Sequence, residues 1–154
     1  MTAQVFVGLL AEGAILAVPL IVIAFLLSRF TRDLVGRSLL VVFLFAAAGA
    51  YFGFALLAAP GPIWVLAELV QVIVFGAIAL LGLRGSPWWL AAGWVLHPLW
   101  GVVLHYIGPG YSFTPWTYAI ACVSFDWLVA IYIVIAYGLG LVGERRQVFA
   151  RGAP

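Results

Sequence analysis

Lysine is absent from this chain of 154 residues. A Schiff base to retinal or to pyridoxal phosphate is therefore excluded. A single cysteine, Cys122, excludes a disulfide framework, a CxxC redox pair, covalent c-type haem and a Cys-rich zinc or iron–sulfur centre. Charge is equally scarce. Only 8% of residues are charged, against about 25% in an ordinary soluble domain. With 67% of residues apolar, the chain has too little polar surface to stay in water as a globule, and the same composition excludes disorder. The net charge of +2 is too small to suggest nucleic acid as a partner.

What is present is a series of long apolar runs. A spanning helix needs about 20 mostly apolar residues, and the sequence offers five such stretches, over about 5–28, 38–59, 63–83, 88–107 and 118–142. Their separators are an arginine cluster from Arg29 to Arg37, the breaker Pro60-Gly61-Pro62, the segment Arg84-Gly85-Ser86-Pro87 and the turn Gly108-Pro109-Gly110. The expected fold is an all-α integral membrane bundle of five transmembrane helices forming a single domain, followed by a polar tail over 143–154.

Orientation follows from the arginines. Arg29, Arg32 and Arg37 fall between spans one and two, Arg84 between three and four, and Arg145, Arg146 and Arg151 after five. With five spans they all lie on one face. The positive-inside rule makes that face cytoplasmic and puts the N-terminus outside. A multi-pass protein of the bacterial cytoplasmic (inner) membrane is expected. The first span is not read as a cleavable signal peptide, because it lacks a basic leading region and contains Glu12. Trp88 and Trp89 at the inner interface, and Trp64, Tyr106, Tyr111, Phe113, Trp116 and Tyr118 at the outer one, fit aromatic belts. Gly49 and Gly53 form a small-xxx-small pair suited to close helix contact.

Removing the loop charges leaves Glu12, Glu68, Gln71, His97, His105 and Asp126 within the spans, all in the outer half or at the midplane. An ionised group at the bilayer centre costs roughly 2.5–3.5 kcal/mol on insertion scales, so such groups usually face the bundle interior. Their depth suggests one polar cavity, open toward the outside. Helical spacing aligns His97, Gly101 and His105 on one stripe, and Tyr118, Cys122 and Asp126 on another. Glu68 and Gln71 are neighbours at i, i+3, and Tyr51 lies in the outer half of the second span. Cys122 reads as a small packing residue.

Two histidines and up to three carboxylates are metal-ligand types. Histidines at i, i+8 lie about 12 Å apart along an α-helix, however, and the Glu-x-x-His pair of di-iron bundles is missing. One histidine with carboxylates from other helices is easier, but no metal and no other cofactor is expected. An acid–base site asks less: a carboxyl held protonated by an apolar pocket donates a proton, and a second carboxylate or a histidine takes one back. The candidate catalytic residues are Glu68, Asp126, His97 and Glu12. The candidate substrate contacts are Trp94, Trp100, Gln71, Tyr51, His105 and Tyr118. A substrate reaching such a pocket from the bilayer is lipophilic, for instance an isoprenoid or sterol undergoing isomerisation, cyclisation or hydration.

The segments His97-Pro98-Leu99-Trp100, His105, Gly108-Pro109-Gly110, Phe113-Thr114-Pro115-Trp116 and Cys122-Val123-Ser124-Phe125-Asp126 carry a resemblance. They resemble a family of small bacterial integral membrane proteins with no assigned function. That pattern has an aspartate after the HPxW tryptophan, where this chain has Gly101. The resemblance implies a polar site on the last two helices and names no reaction. In architecture alone the chain is also similar to small membrane isomerases of the emopamil-binding type. The leading expectation is a membrane-embedded acid–base enzyme or binding protein for a lipophilic small molecule. The alternatives are an accessory subunit of a larger membrane complex and a proton- or ion-coupled transport component. The expected partners are the bilayer, the lipophile, and a second copy or a membrane-complex subunit.

Overall fold

A computed structural model describes residues 2–143. The tail over 144–154, with Arg145, Arg146 and Arg151, lies outside the described residues. The helices are α1 (Ala3–Phe30), α2 (Asp33–Ala58), α3 (Pro62–Arg84), α4 (Pro87–Trp100) and α5 (Trp116–Gly138). Between the last two, α4 runs on as a π-helix over Gly101–Ile107, followed by a 3-10 turn over Pro109–Ser112. Among the described residues, five helical segments, counting α4 with its π continuation as one, are long and apolar enough to cross a membrane. The protein is an all-helical, multi-pass membrane protein.

Local signals explain the helix ends. Ser86 caps α4, its hydroxyl accepting from the Trp88 amide at 3.4 Å, and Pro87 occupies the first turn, where a missing N–H costs nothing. Ala59 ends α2 in the left-handed conformation at φ +48°, and Pro60-Gly61-Pro62 then prevents continuation. α2 begins at Asp33, five residues before the expected start at 38. Arg37 and Asp33 pair within its first turns at 2.8 Å, so the arginine cluster is partly helix rather than loop.

The helices pack as a ring in chain order, each on its successor, and α5 closes the ring against α1. Each packed face follows the 3.6-residue period: Gly13, Ala17, Leu20 and Ala24 on α1, and Glu68, Gln71, Phe75 and Ala79 on α3. Small residues let the backbones approach. A Cβ on Gly13 would overlap the Ala121 carbonyl oxygen of α5. The expected contact through Gly49 and Gly53 is absent, because a Cβ on either meets nothing within 4 Å. The other surface is apolar, with Ile15, Val22, Leu57 and Ile73 exposed as a lipid-facing coat.

The bundle divides into two layers. Toward the arginine end the interior is filled by Leu20, Ala24, Leu40, Leu90, Ile133 and Ala136. There Arg37 donates to the Gly85 carbonyl at 2.9 Å, and the Tyr137 hydroxyl donates to Asp33 at 2.8 Å, tying α2 to the α3–α4 connection and to α5. The opposite half holds the buried carboxylates and histidines.

Candidate functional site

Three helices bring four ionisable side chains to full burial: Glu68 from α3, His97 and His105 from α4 and its π continuation, and Asp126 from α5. They form two dyads. His97 Nδ1 lies 2.7 Å from Asp126 Oδ2. His105 Nε2 lies 3.2 Å from Glu68 Oε1, a close contact whose angle falls outside hydrogen-bond geometry, so both atoms lack a hydrogen-bond partner. Trp100 donates its indole N–H to the other Glu68 oxygen at 3.4 Å.

Tyr51 of α2 joins the dyads. Its ring stacks on His105, with centroids 4.3 Å apart and planes 11° from parallel, and it lies 5.5 Å from the His97 ring. Tyr118 meets Tyr51 edge-on at 5.2 Å and anchors its hydroxyl on the Ala47 carbonyl at 3.1 Å. Gly101 makes the Tyr51 position accessible, since a Cβ there would overlap the tyrosine hydroxyl.

The π segment brings His105 into this arrangement. Pro98 has no N–H to continue the helical ladder, and the Gly101 amide is shared between the His97 and Pro98 carbonyls. The chain then widens into π geometry over Gly101–Ile107, a rare conformation that is frequent at functional sites. His105 is fully buried rather than solvated at the interface. Gly110 packs against its ring, and Phe113 meets it edge-on at 5.5 Å with Trp64 beyond at 5.8 Å. The turn after α4 thus closes over the cluster.

A lateral cleft of about 340 Å³ between α1, α2 and α5 borders the site; it is lined by Gly13, Leu16, Phe43, Ala47, Phe125, Cys122 and Asp126, with Asp126 itself fully buried in the wall. Its wall is otherwise apolar, and exposed Leu16 and Phe43 bring it to the lipid-facing surface.

Most sequence candidates gather here; Trp94 and Glu12 do not. Gln71 is buried on the same α3 stripe as Glu68, and its amide nitrogen and oxygen both lack a partner. Trp94 is fully buried but packs against Phe125 at 5.9 Å inside the apolar core, so it supports the site from beneath. Glu12 is exposed. α1 turns the adjacent Gly13 onto α5, and one residue further back along a helix points about 100° away. The expectation that Glu12 shares the buried site is therefore corrected. Sequence reasoning undervalued Cys122: donor atoms of Cys122, His97 and Asp126 all lie within 4.8 Å of one another. The i, i+4 spacing of Cys122 and Asp126 was the available signal. Phe75, edge-on to His97 at 5.3 Å, carried none.

The buried polar atoms without a hydrogen-bond partner are concentrated here: Tyr51 Oη, Glu68 Oε1, both Gln71 amide atoms, His97 Nε2, both His105 nitrogens and Asp126 Oδ1. Native interiors leave few such atoms, and each asks for a reason. No curated protein and no solved structure matches the chain. A family of unknown function (DUF6010) matches residues 12–138, a span that contains every buried group just described, and the chain belongs to that family.

Proposed function

We propose that the chain is a membrane-embedded acid–base protein for a lipophilic small molecule, of isomerase, cyclase or hydrolase type, which receives its ligand sideways from the bilayer. The observation that carries this reading is Asp126 at the edge of the apolar cleft, with His97 hydrogen-bonded behind it. An apolar wall takes an isoprenoid- or sterol-like skeleton by burial. A carboxyl group beside it adds a proton to one carbon of a double bond, and a base removes one from another, so an isomerisation balances with no co-reactant. His97 holds Asp126 in place and exchanges its proton. Glu68 and His105 form a second donor–acceptor pair, with Tyr51 between the two.

The arginine end is read as cytoplasmic, in a bacterial inner membrane, which leaves the polar layer in the extracytoplasmic half. A transport role finds less support, because the interior of the arginine-end half is filled mainly by apolar side chains such as Leu20, Leu40, Leu90 and Ile133.

The test uses a farnesol analogue carrying a diazirine, photolysed with the purified protein in lipid nanodiscs. Labelling is expected on peptides containing Gly13, Phe43 and Phe125, and Ala46→Phe at the exposed mouth should cut it at least tenfold. Asp126→Asn should retain labelling but abolish deuterium transfer from D2O into a bound unsaturated lipophile extracted from the host. Label spread evenly over the lipid-facing coat and indifferent to Ala46→Phe would sink the reading.

A further inference from the structure

We propose that His97, Cys122 and Asp126 form a binding site for one thiophilic divalent cation, zinc foremost, with its open coordination position facing the lateral cleft. The inference rests on the preceding reading for the lateral cleft and changes one role in it: with the cation bound, Asp126 is a carboxylate ligand rather than the proton donor.

Three observations carry it. The first is the donor set. An imidazole, a thiol and a carboxylate, all buried, converge with their donor atoms within 4.8 Å of one another. Donors around tetrahedral zinc stand about 3.3–3.7 Å apart, given bond lengths of about 2.0–2.3 Å. The second is replaceable valence: His97 Nδ1 and Asp126 Oδ2 share one proton at 2.7 Å, which a cation would displace, and Asp126 Oδ1 has no hydrogen-bond partner although fully buried. The third is the neighbouring cleft: Cys122 and Asp126 are among its lining residues, fully or nearly fully buried, and His97 is hydrogen-bonded to Asp126. Three protein ligands with a fourth position left to water or substrate is the plan of catalytic rather than structural zinc.

Charge balance argues the same way. A thiolate and a carboxylate carry two negative charges, and a neutral imidazole adds none. A divalent cation makes the assembly neutral, which suits a layer where isolated ions are costly. The sulfur ligand favours zinc, cobalt or copper over magnesium and calcium, which prefer oxygen. Each ligand comes from a helix position rather than a loop: His97 from α4, and Cys122 and Asp126 one turn apart on α5. The i, i+4 pair on one face is thus the local half of the site, and the α4–α5 contact supplies the rest. His105, which a single α-helix would hold too far from His97, is not needed.

The test is cobalt(II) titration of the full chain in detergent after chelator treatment, read by optical absorption without any lipophile. The expected result is one cobalt per chain with a thiolate-to-cobalt charge-transfer band in the near ultraviolet. Zinc should displace it. Cys122→Ser should lose that band and weaken binding at least tenfold, while Glu12→Gln, an exposed carboxylate in the same half, should titrate like wild type. Where Asp126→Asn folds, as judged by gel filtration, it should also bind at least tenfold more weakly; Cys122→Ser carries the test otherwise. No charge-transfer band in wild type, or a band that survives Cys122→Ser, would overturn the proposal. Either result leaves the farnesol labelling and deuterium transfer free to succeed, so failure here is distinguishable from failure of the acid–base reading.

Discussion

Replacing Gly13 by alanine tests the helix packing on which the site depends. A Cβ at this position would overlap the Ala121 carbonyl oxygen, lie 2.5 Å from Ser124 Oγ and 3.0 Å from the Ala121 carbonyl carbon. Carbon atoms in contact prefer about 3.5–4.0 Å, and the oxygen overlap is tighter still, so α1 must retreat from α5 by on the order of 1 Å or more. Overpacking of this kind costs about 1–3 kcal/mol. The retreat also stretches the bond that Ser124 donates to the Leu10 carbonyl at 2.6 Å, and an interhelical hydrogen bond in a membrane is worth about 0.6 kcal/mol on average. Loss of glycine from the unfolded chain returns about 0.4–1 kcal/mol. The net expectation is a destabilisation of about 1–3 kcal/mol. Gly49→Ala is the control: with nothing within 4 Å of its Cβ, it should keep the gain of about 0.4–1 kcal/mol. Equilibrium unfolding in mixed micelles measures both. A Gly13→Ala protein as stable as wild type, or a Gly49→Ala protein that loses as much, would refute the packing argument.

Three further perturbations follow from the same geometry. Gly101→Ala should displace the Tyr51 ring, whose Cζ would lie 3.1 Å from the new Cβ, at a cost of about 1–3 kcal/mol; adding Tyr51→Phe should recover part of that loss, and strict additivity of the two would count against the clash. Pro98→Ala restores an amide to the ladder and should draw Gly101–Ile107 back toward α geometry, turning His105 off Glu68; diethyl pyrocarbonate, inert toward His105 in wild type, should then modify it, and continued inertness would mean that proline does not set the π segment. Arg37→Lys keeps a charge for Asp33 but loses the fork that also reaches the Gly85 carbonyl; a loss of about 1 kcal/mol in the same unfolding assay is expected, and an unchanged protein would show that the fork contributes nothing.

The five spans were legible because length and hydropathy decide them, and the membrane leaves few other backbone solutions. The start of α2 was misplaced because Asp33 and Arg37 read as loop charges, whereas they pair with each other along the first turns of the helix. The pairing of intramembrane polar groups was visible only as residue type and depth. Which carboxylate meets which histidine depends on helix order and rotation, set by small residues such as Gly13 whose role no periodicity reveals. The π segment changes the geometry most. The α-helical rise separates His97 and His105 along one stripe, yet both rings reach Tyr51. Pro98 and Gly101 were the only advance signs. Glu12 shows the converse: depth alone put it with the cluster, and one step of helix rotation takes it out.

Stability alone gives a poor account of the two dyads, and the magnitudes show why. Removing one partner of a buried ion pair costs about 3–5 kcal/mol, but replacing both by well-packed apolar groups is often neutral or stabilising by about 1–4 kcal/mol. The arginine-end half of this same bundle achieves its packing with Leu40, Leu90, Ile133 and their neighbours, so apolar filling is open to the fold. Glu68→Leu alone should therefore unfold more readily, with His105 left unmatched against Tyr51 and Phe113. Glu68→Leu combined with His105→Phe keeps an aromatic ring on Tyr51 and removes both charges. The double variant should be at least as stable as wild type, yet fail in deuterium transfer to the bound lipophile. If it is instead less stable than either single variant, the Glu68–His105 pair is a structural fastening, and the case for chemistry contracts to His97, Cys122 and Asp126.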